Sequence, residues 1–98
     1  MTKEYKPIHN EELLRFEIRE GDSIGFLEYK YYKKDIAFVH TEVPENMQGR
    51  GAASALADYA FKFAKSRNKL VMIYCPFVSV YLKRHPELKE QVDKEYYR

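Results

Sequence analysis

The sequence predicts an α+β domain built on a mostly antiparallel sheet, in the order β-β-β-α-β-α. Three observations carry this. Apolar residues alternate with polar ones from Leu13 to Glu20, and two further strand-like runs end at Val43. The period then changes to a helical one. Turn residues punctuate the chain wherever the period breaks.

Leu13 to Glu20 opens the series, with Leu14, Phe16 and Ile18 on one face and Arg15, Glu17 and Arg19 on the other. This is a strand with one wet face. Glu20-Gly21-Asp22-Ser23 has turn chemistry and sends the next strand straight back as a hairpin. Ile24 to Tyr32 is rich in aromatic and β-branched residues and forms that second strand. Lys33-Lys34-Asp35 connects it to a third strand, Ile36 to Val43, which Pro44 ends. Ala53, Leu56, Ala57, Ala60 and Ala64 then recur at helical spacing, so a helix is expected from near Gly49 to near Arg67. Leu70 to Tyr74 reads as a buried strand. Pro76 suits the first turn of a second helix, which runs to about His85 before Pro86 stops it. A last helical piece sets Leu88 and Val92 on one face. The polar start, Met1 to Asn10, has no secretory pattern, and His9 is expected in a frayed terminus.

At 98 residues the chain is one domain, and 45% hydrophobic with 33% charged residues is a globular balance. The longest charge-free run, Leu70 to Leu82, is too short to span a bilayer and is broken by Pro76. A lone cysteine, Cys75, excludes an internal disulfide framework and a multi-cysteine metal site. No metal is expected, and the cytoplasm is the expected compartment. A net charge of +2 gives little support to nucleic-acid binding. Up to Gly49 the chain carries about 7 basic and about 10 acidic residues, and beyond it about 10 and about 5. That asymmetry suits a phosphorylated ligand held by the C-terminal half, or is chance on solvated faces.

The informative segment is Val43-Pro44-Glu45-Asn46-Met47-Gln48-Gly49-Arg50-Gly51-Ala52-Ala53-Ser54. A strand ends and a two-glycine loop opens a helix whose first turn is all small. Helix starts leave N–H groups unpartnered and partly positive, and without bulky side chains a phosphate can reach them. The Lys-Ser/Thr of a P-loop is missing. A dinucleotide fingerprint needs a parallel βαβ unit and an acidic residue about 20 positions on, near where Cys75 stands. The pattern Gln/Arg-x-x-Gly-x-Gly/Ala is met in full by Gln48, Gly51 and Ala53. The plainer alternative is a helix start with glycines for tight packing.

That pattern resembles the pyrophosphate loop of the GNAT N-acetyltransferases. Ile73-Tyr74-Cys75-Pro76-Phe77 through Arg84-His85-Pro86, with His40-Thr41-Glu42-Val43, is similar to the small stand-alone Yjdj-type subgroup. The likeness covers about residues 14 to 93. It implies a minimal GNAT-like fold and acetyl-CoA as acetyl donor, with no known acceptor. Larger members carry helices between their first two strands, and the direct hairpin here leaves no room for them. The acceptor side is therefore expected to be open. Either the acceptor is a large, macromolecular amine that brings its own contacts, or it binds weakly, or a second subunit closes the groove. A monomer or weak homodimer is expected, without membrane attachment.

The resemblance also implies roles. The carbonyl of the thioester would meet a backbone N–H near Thr41 to Val43, where the third and fourth expected strands splay apart. Tyr81 would be the acid for the departing thiolate, or simply a packing tyrosine. Cys75, at the start of its helix, would touch the thioester or take the acetyl group, or be an inert buried thiol. His40 and Glu42 are expected on one side of their strand with Phe38. Either could relay a proton from the acceptor, and His40 could equally be an ordinary sheet histidine. The loop residues Gln48, Gly49, Arg50, Gly51, Ala52, Ala53 and Ser54 would hold the cofactor, with Thr41, Val43, Cys75, Tyr81 and Arg84 beside it. Lys83 and Lys89 are further cations for its phosphates. Two rivals remain: a sensor that binds acetyl-CoA without catalysis, and a single-strand nucleic-acid binder using Tyr29-Lys30-Tyr31-Tyr32-Lys33-Lys34, a run that could equally be an edge strand guarded by lysines.

Overall fold

The computed structural model describes residues 5–95. Five strands form one sheet in sequential order: β1 (Ile8–Asn10), β2 (Arg15–Glu20), β3 (Ser23–Tyr32), β4 (Asp35–Glu42) and β5 (Val71–Ile73). The first three pairings are antiparallel, whereas β4 and β5 run parallel and are joined by α1 (Ala52–Ser66). After β5 come α2 (Pro76–Arg84) and a 3-10 segment, Pro86–Gln91. Glu20 pairs with Ser23 across a two-residue turn, so the direct hairpin is present and no helix intervenes.

Alternation places Phe16, Ile18, Leu27, Tyr29, Ile36 and Phe38 on one face of the sheet, all buried. Both helices pack there. Phe38 meets Phe61 of α1 edge-on at 5.4 Å, and Phe61 stacks with Tyr81 of α2 at 6.2 Å. The opposite face carries no helix among the described residues.

Three differences from the sequence reading have physical causes. His9 is not frayed: it lies in β1, which pairs with β2, and its ring sits 4.6 Å from Phe63 and 5.0 Å from Phe16. Its Nε2 shares a hydrogen bond with the Tyr29 hydroxyl. Burial, the largest influence, lowers its pKa. Glu17, on the face expected to be wet, is only 3% exposed. Burial alone would raise its carboxyl, but bonds from Arg15 Nε at 2.6 Å and Asn10 Nδ2 at 3.1 Å carry it below the usual range. Finally, a bulge interrupts β4. Glu28 pairs with His40 and Tyr29 with Phe38, leaving Val39 unmatched. The extra residue shifts the alternation. Phe38 and Thr41 share the helix face, and His40 and Glu42 turn to the other, so the expected grouping of His40 and Glu42 with Phe38 is corrected.

Beyond the 3-10 segment, Val92 bridges Val71 and the Asp93 N–H bonds the Val71 carbonyl at 2.9 Å. This sets the Asp93 carboxyl against Asp35, which is 3% exposed and whose Oδ1 has no hydrogen-bond partner among the described residues. Burial and the neighbouring Asp93 push the Asp35 pKa up to about 6. Asp93 is held low by its bond with Asp35 and by the Glu95 N–H at 3.0 Å. Lys34 opposes the rise and Glu95 adds to it. Asp35 therefore keeps the shared proton. Its stabilising contribution is present below the unfolded carboxyl value, near 4, and is lost as pH rises through about 6. Asp93→Asn should raise Tm at pH 7.5 by roughly 5 °C and flatten the fall in Tm between pH 4 and 7. Thermal melts across that range read it.

Candidate active site

Strand β4 ends at Glu42, Pro44 leads into a 3-10 turn (Glu45–Met47), and Gln48 to Gly51 form the loop before α1. Both loop glycines have positive φ, +77° at Gly49 and +86° at Gly51, which L side chains rarely adopt. A Cβ on either would point into open space. The Gln48 side chain fastens the loop, its Nε2 donating to the Val43 carbonyl at 3.0 Å.

Gly51 is the N-cap of α1, and no side chain caps this helix. The first bond reaching back to the cap is Ala55 N–H to Gly51 carbonyl, at 2.9 Å. The N–H groups of Ala52, Ala53 and Ser54 precede it and have no intrahelical acceptor. A pocket of about 230 Å³ opens over them, walled by Val43, Met47 and Phe77 and floored by the glycine loop. Small residues and unpartnered donors make this a place where an anionic group can approach backbone closely.

The second half of the site is a gap in the sheet. β5 pairs with β4 only from Ile36 to Phe38. The Phe38 carbonyl accepts the N–H groups of Tyr74 and Cys75, at 3.0 and 3.1 Å, and the chain then turns into α2. Beyond that point β4 runs on without β5. Glu42 pairs with Phe26 and Thr41 with Leu27. The Tyr29 N–H bonds Leu14 on the β2 side, which fixes the alternation and sends the Thr41 N–H and C=O into the gap. Cys75, the N-cap of α2, is 3% exposed and donates its thiol to Thr41 Oγ1 at 3.2 Å.

Of the expected residues, Val43, Gln48, Gly49, Gly51, Ala52, Ala53 and Ser54 line the pocket. Thr41 and Cys75 meet at the gap. Arg50 is in the loop but its side chain leans to Glu20, 3.7 Å away. Arg84 is exposed in the last turn of α2, and eight residues separate it from Pro76, about 12 Å along the axis. Tyr81 is buried one turn beyond Phe77, with ring centroids 6.3 Å apart and His85 at 4.2 Å. Burial, then Asp58 and Glu87, raise its pKa. His40 and Glu42 lie across the gap on the helix-free face, where His40 approaches Phe26 at 6.0 Å. Met47 and Phe77 are the pocket residues the sequence reading missed. An apolar residue alone in a polar loop, and an aromatic just after a helix-starting proline, were the available signals.

No helix among the described residues is long and apolar enough to cross a membrane, and no group of three or more His, Cys, Asp or Glu is placed to hold a metal ion. Comparison with known proteins agrees with the geometry. A family model described as GCN5-related N-acetyl-transferase matches residues 15–92, from the start of β2 to Val92. A Danio rerio protein named Protein NATD1 is 32% identical over 89 residues, covering 86% of this chain and 81% of that protein. A Xenopus tropicalis protein of the same name is 36% identical over 59 residues, 59% of this chain and 54% of that protein. The chain thus spans little more than half the length of the frog relative. With a glycine loop over an uncapped helix start, a gap beside it and a family match across most of its length, the chain belongs to the GCN5-related N-acetyltransferase family.

Proposed function

We propose that this protein binds acetyl-CoA and transfers its acetyl group to a primary amine. The observation that carries the reading is the adjacency of two features: unpartnered N–H groups at the start of α1, and the stretch of β4 that β5 leaves open. The pyrophosphate would lie on Gly49 to Ser54, where each built Cβ of the glycines meets nothing. The thioester arm would run past Phe77 into the gap. There the Thr41 N–H would bond the carbonyl oxygen as it becomes an oxyanion; one such donor is worth about 3–4 kcal/mol in other enzymes.

The amine would arrive from the other face, where the direct β2–β3 hairpin leaves the sheet uncovered. Glu42 or His40 on that face would accept its proton. The amine nitrogen attacks the acetyl carbon, the C–S bond breaks, and the thiolate takes a proton. Tyr81 is the residue we assign to that last step. An open acceptor face suits a large amine that brings its own contacts. The cytoplasm, with a monomer or weak homodimer, belongs to the same reading. Incubation with acetyl-CoA and a panel of small amines and lysine peptides, followed by mass analysis, should show an acetylated product. Coenzyme binding with no product across the panel would leave the sensor reading, which the uncovered face also favours.

Cys75 fits a neighbour of the thioester and not its nucleophile. Its thiol is buried and directed at Thr41 Oγ1, to which it donates at 3.2 Å. Cys75→Ala should cost about 1 kcal/mol in packing and leave turnover within about tenfold. Intact-mass analysis after brief mixing with acetyl-CoA alone should show no acetyl adduct that Cys75→Ala removes. An adduct mapped to Cys75 would replace direct transfer by a ping-pong route.

A further inference from the structure

At the end of the sheet remote from the glycine loop, the structure gathers cations from three places. Lys30, Lys33 and Lys34 come from the β3–β4 hairpin, Arg67 from the end of α1, and Lys69 from the loop into β5. None of the five has a carboxylate oxygen within 4.0 Å among the described residues, and Arg67 lies over the Phe63 ring at 4.9 Å. Glu11, on the flank, is 3.9 Å from His9. Tyr31 and Tyr32 stand among them, 47% and 46% exposed. Lys69 Nζ lies 5.2 Å from the Tyr31 ring centre and Lys33 Nζ 5.6 Å from that of Tyr32.

The guarding of an edge accounts for only part of this. β3 is interior from Phe26 to Glu28, between β2 and β4, and overhangs β2 only past Tyr29. Lysines on the overhang would be enough to guard it. Edge protection does not call for half-exposed tyrosines, nor for Arg67 and Lys69 from other elements. Tyr31 pairs with Ile36, on the helix face, and Tyr32 with Asp35, on the other. The ribbon therefore shows one ring on each side of a lysine turn.

We propose that this hairpin end is a binding surface for single-stranded nucleic acid. Phosphates would run along Lys33, Lys34 and Lys69, and bases would stack against Tyr31 and Tyr32. An acidic peptide would use the charges and leave the rings idle; a duplex would keep its bases out of their reach. The start of β4 at this end is six residues from Thr41 in the gap, about 20 Å, so the surface stands independently of the acyl-transfer reading.

The test is fluorescence anisotropy with a labelled single strand of about 15 nucleotides, without acetyl-CoA, from about 50 to about 200 mM salt. Binding should weaken with a log–log slope of about −2 to −3, as three or four phosphate contacts require. Lys34→Gln with Lys69→Gln should lower the slope by about 1.4. Tyr32→Ala should weaken binding about tenfold at every salt concentration. Circular dichroism checks that the variants fold; if the double variant does not, Lys33→Gln on the exposed turn should lower the slope by about 0.7. Absence of binding at the lowest salt would overturn the proposal. So would equal competition by polyglutamate or by a duplex, or Tyr32→Ala binding as the parent does.

Discussion

Gly51→Val should weaken acetyl-CoA binding on the order of 100-fold while the protein still folds. The substitution acts in two separable ways. Gly51 has φ +86°, where a β-branched residue is strained by about 1–2 kcal/mol, and this lowers stability with or without ligand. The new side chain also points into space that is empty of protein, so it displaces nothing in the fold but occupies the room above the Ala52 and Ala53 amides. Loss of two charge-assisted bonds there, at roughly 1.5 kcal/mol each, gives the 100-fold. Ser54→Ala is the contrasting variant. It keeps the backbone N–H and should change affinity little. Titration calorimetry reads the affinities, and urea unfolding reads the strain. A Gly51→Val protein that binds as tightly as the parent would move the pyrophosphate away from this loop.

Much of this site was legible in the sequence because its chemistry is backbone chemistry. Positive-φ glycines, small residues and an uncapped helix start are properties of residue type and spacing, and Gln48 through Ser54 show them directly. The strands from Arg15 onward and both helices follow from periods of two and 3.6, with ends near where turn residues stand. What was hidden depends on pairing. β1 is three residues of mixed polarity, held by register with β2 and by the bond between His9 and Tyr29. No local pattern announces it. The bulge at Val39 is likewise invisible, since Phe38-Val39-His40 reads as an ordinary strand; yet that one residue decides that Thr41 and not His40 faces the helices. Buried Glu17 and the Asp35–Asp93 pair arise because distant segments cover positions that alternation marks as wet. The candidate gap required both: a parallel β5 that stops at Ile73, and an alternation shifted to bring Thr41 to Cys75.

Tyr81→Phe should slow acetyl transfer about 100-fold and leave acetyl-CoA affinity unchanged. Removing a proton donor used only as the thiolate departs lowers kcat and kcat/KM together. Side chains on a helix lean toward its N-terminus, and the Tyr81 ring lies 6.3 Å from that of Phe77, which lines the pocket. Burial raises its pKa first, and Asp58 and Glu87 add to the rise, so the hydroxyl is protonated at neutral pH, as an acid must be before it acts. Phe61, Phe77 and His85 surround the ring, and Phe keeps those contacts, which makes Tyr81→Phe a test of the hydroxyl and not of packing. Stopped-flow mixing with acetyl-CoA and a reactive amine separates the chemical step from binding. Unchanged turnover would remove Tyr81 from the mechanism. The thiol of Cys75, already at the gap on Thr41 Oγ1, would then be the next proton donor to test, with Cys75→Ser as the variant that keeps a donor, a hydroxyl, at that position.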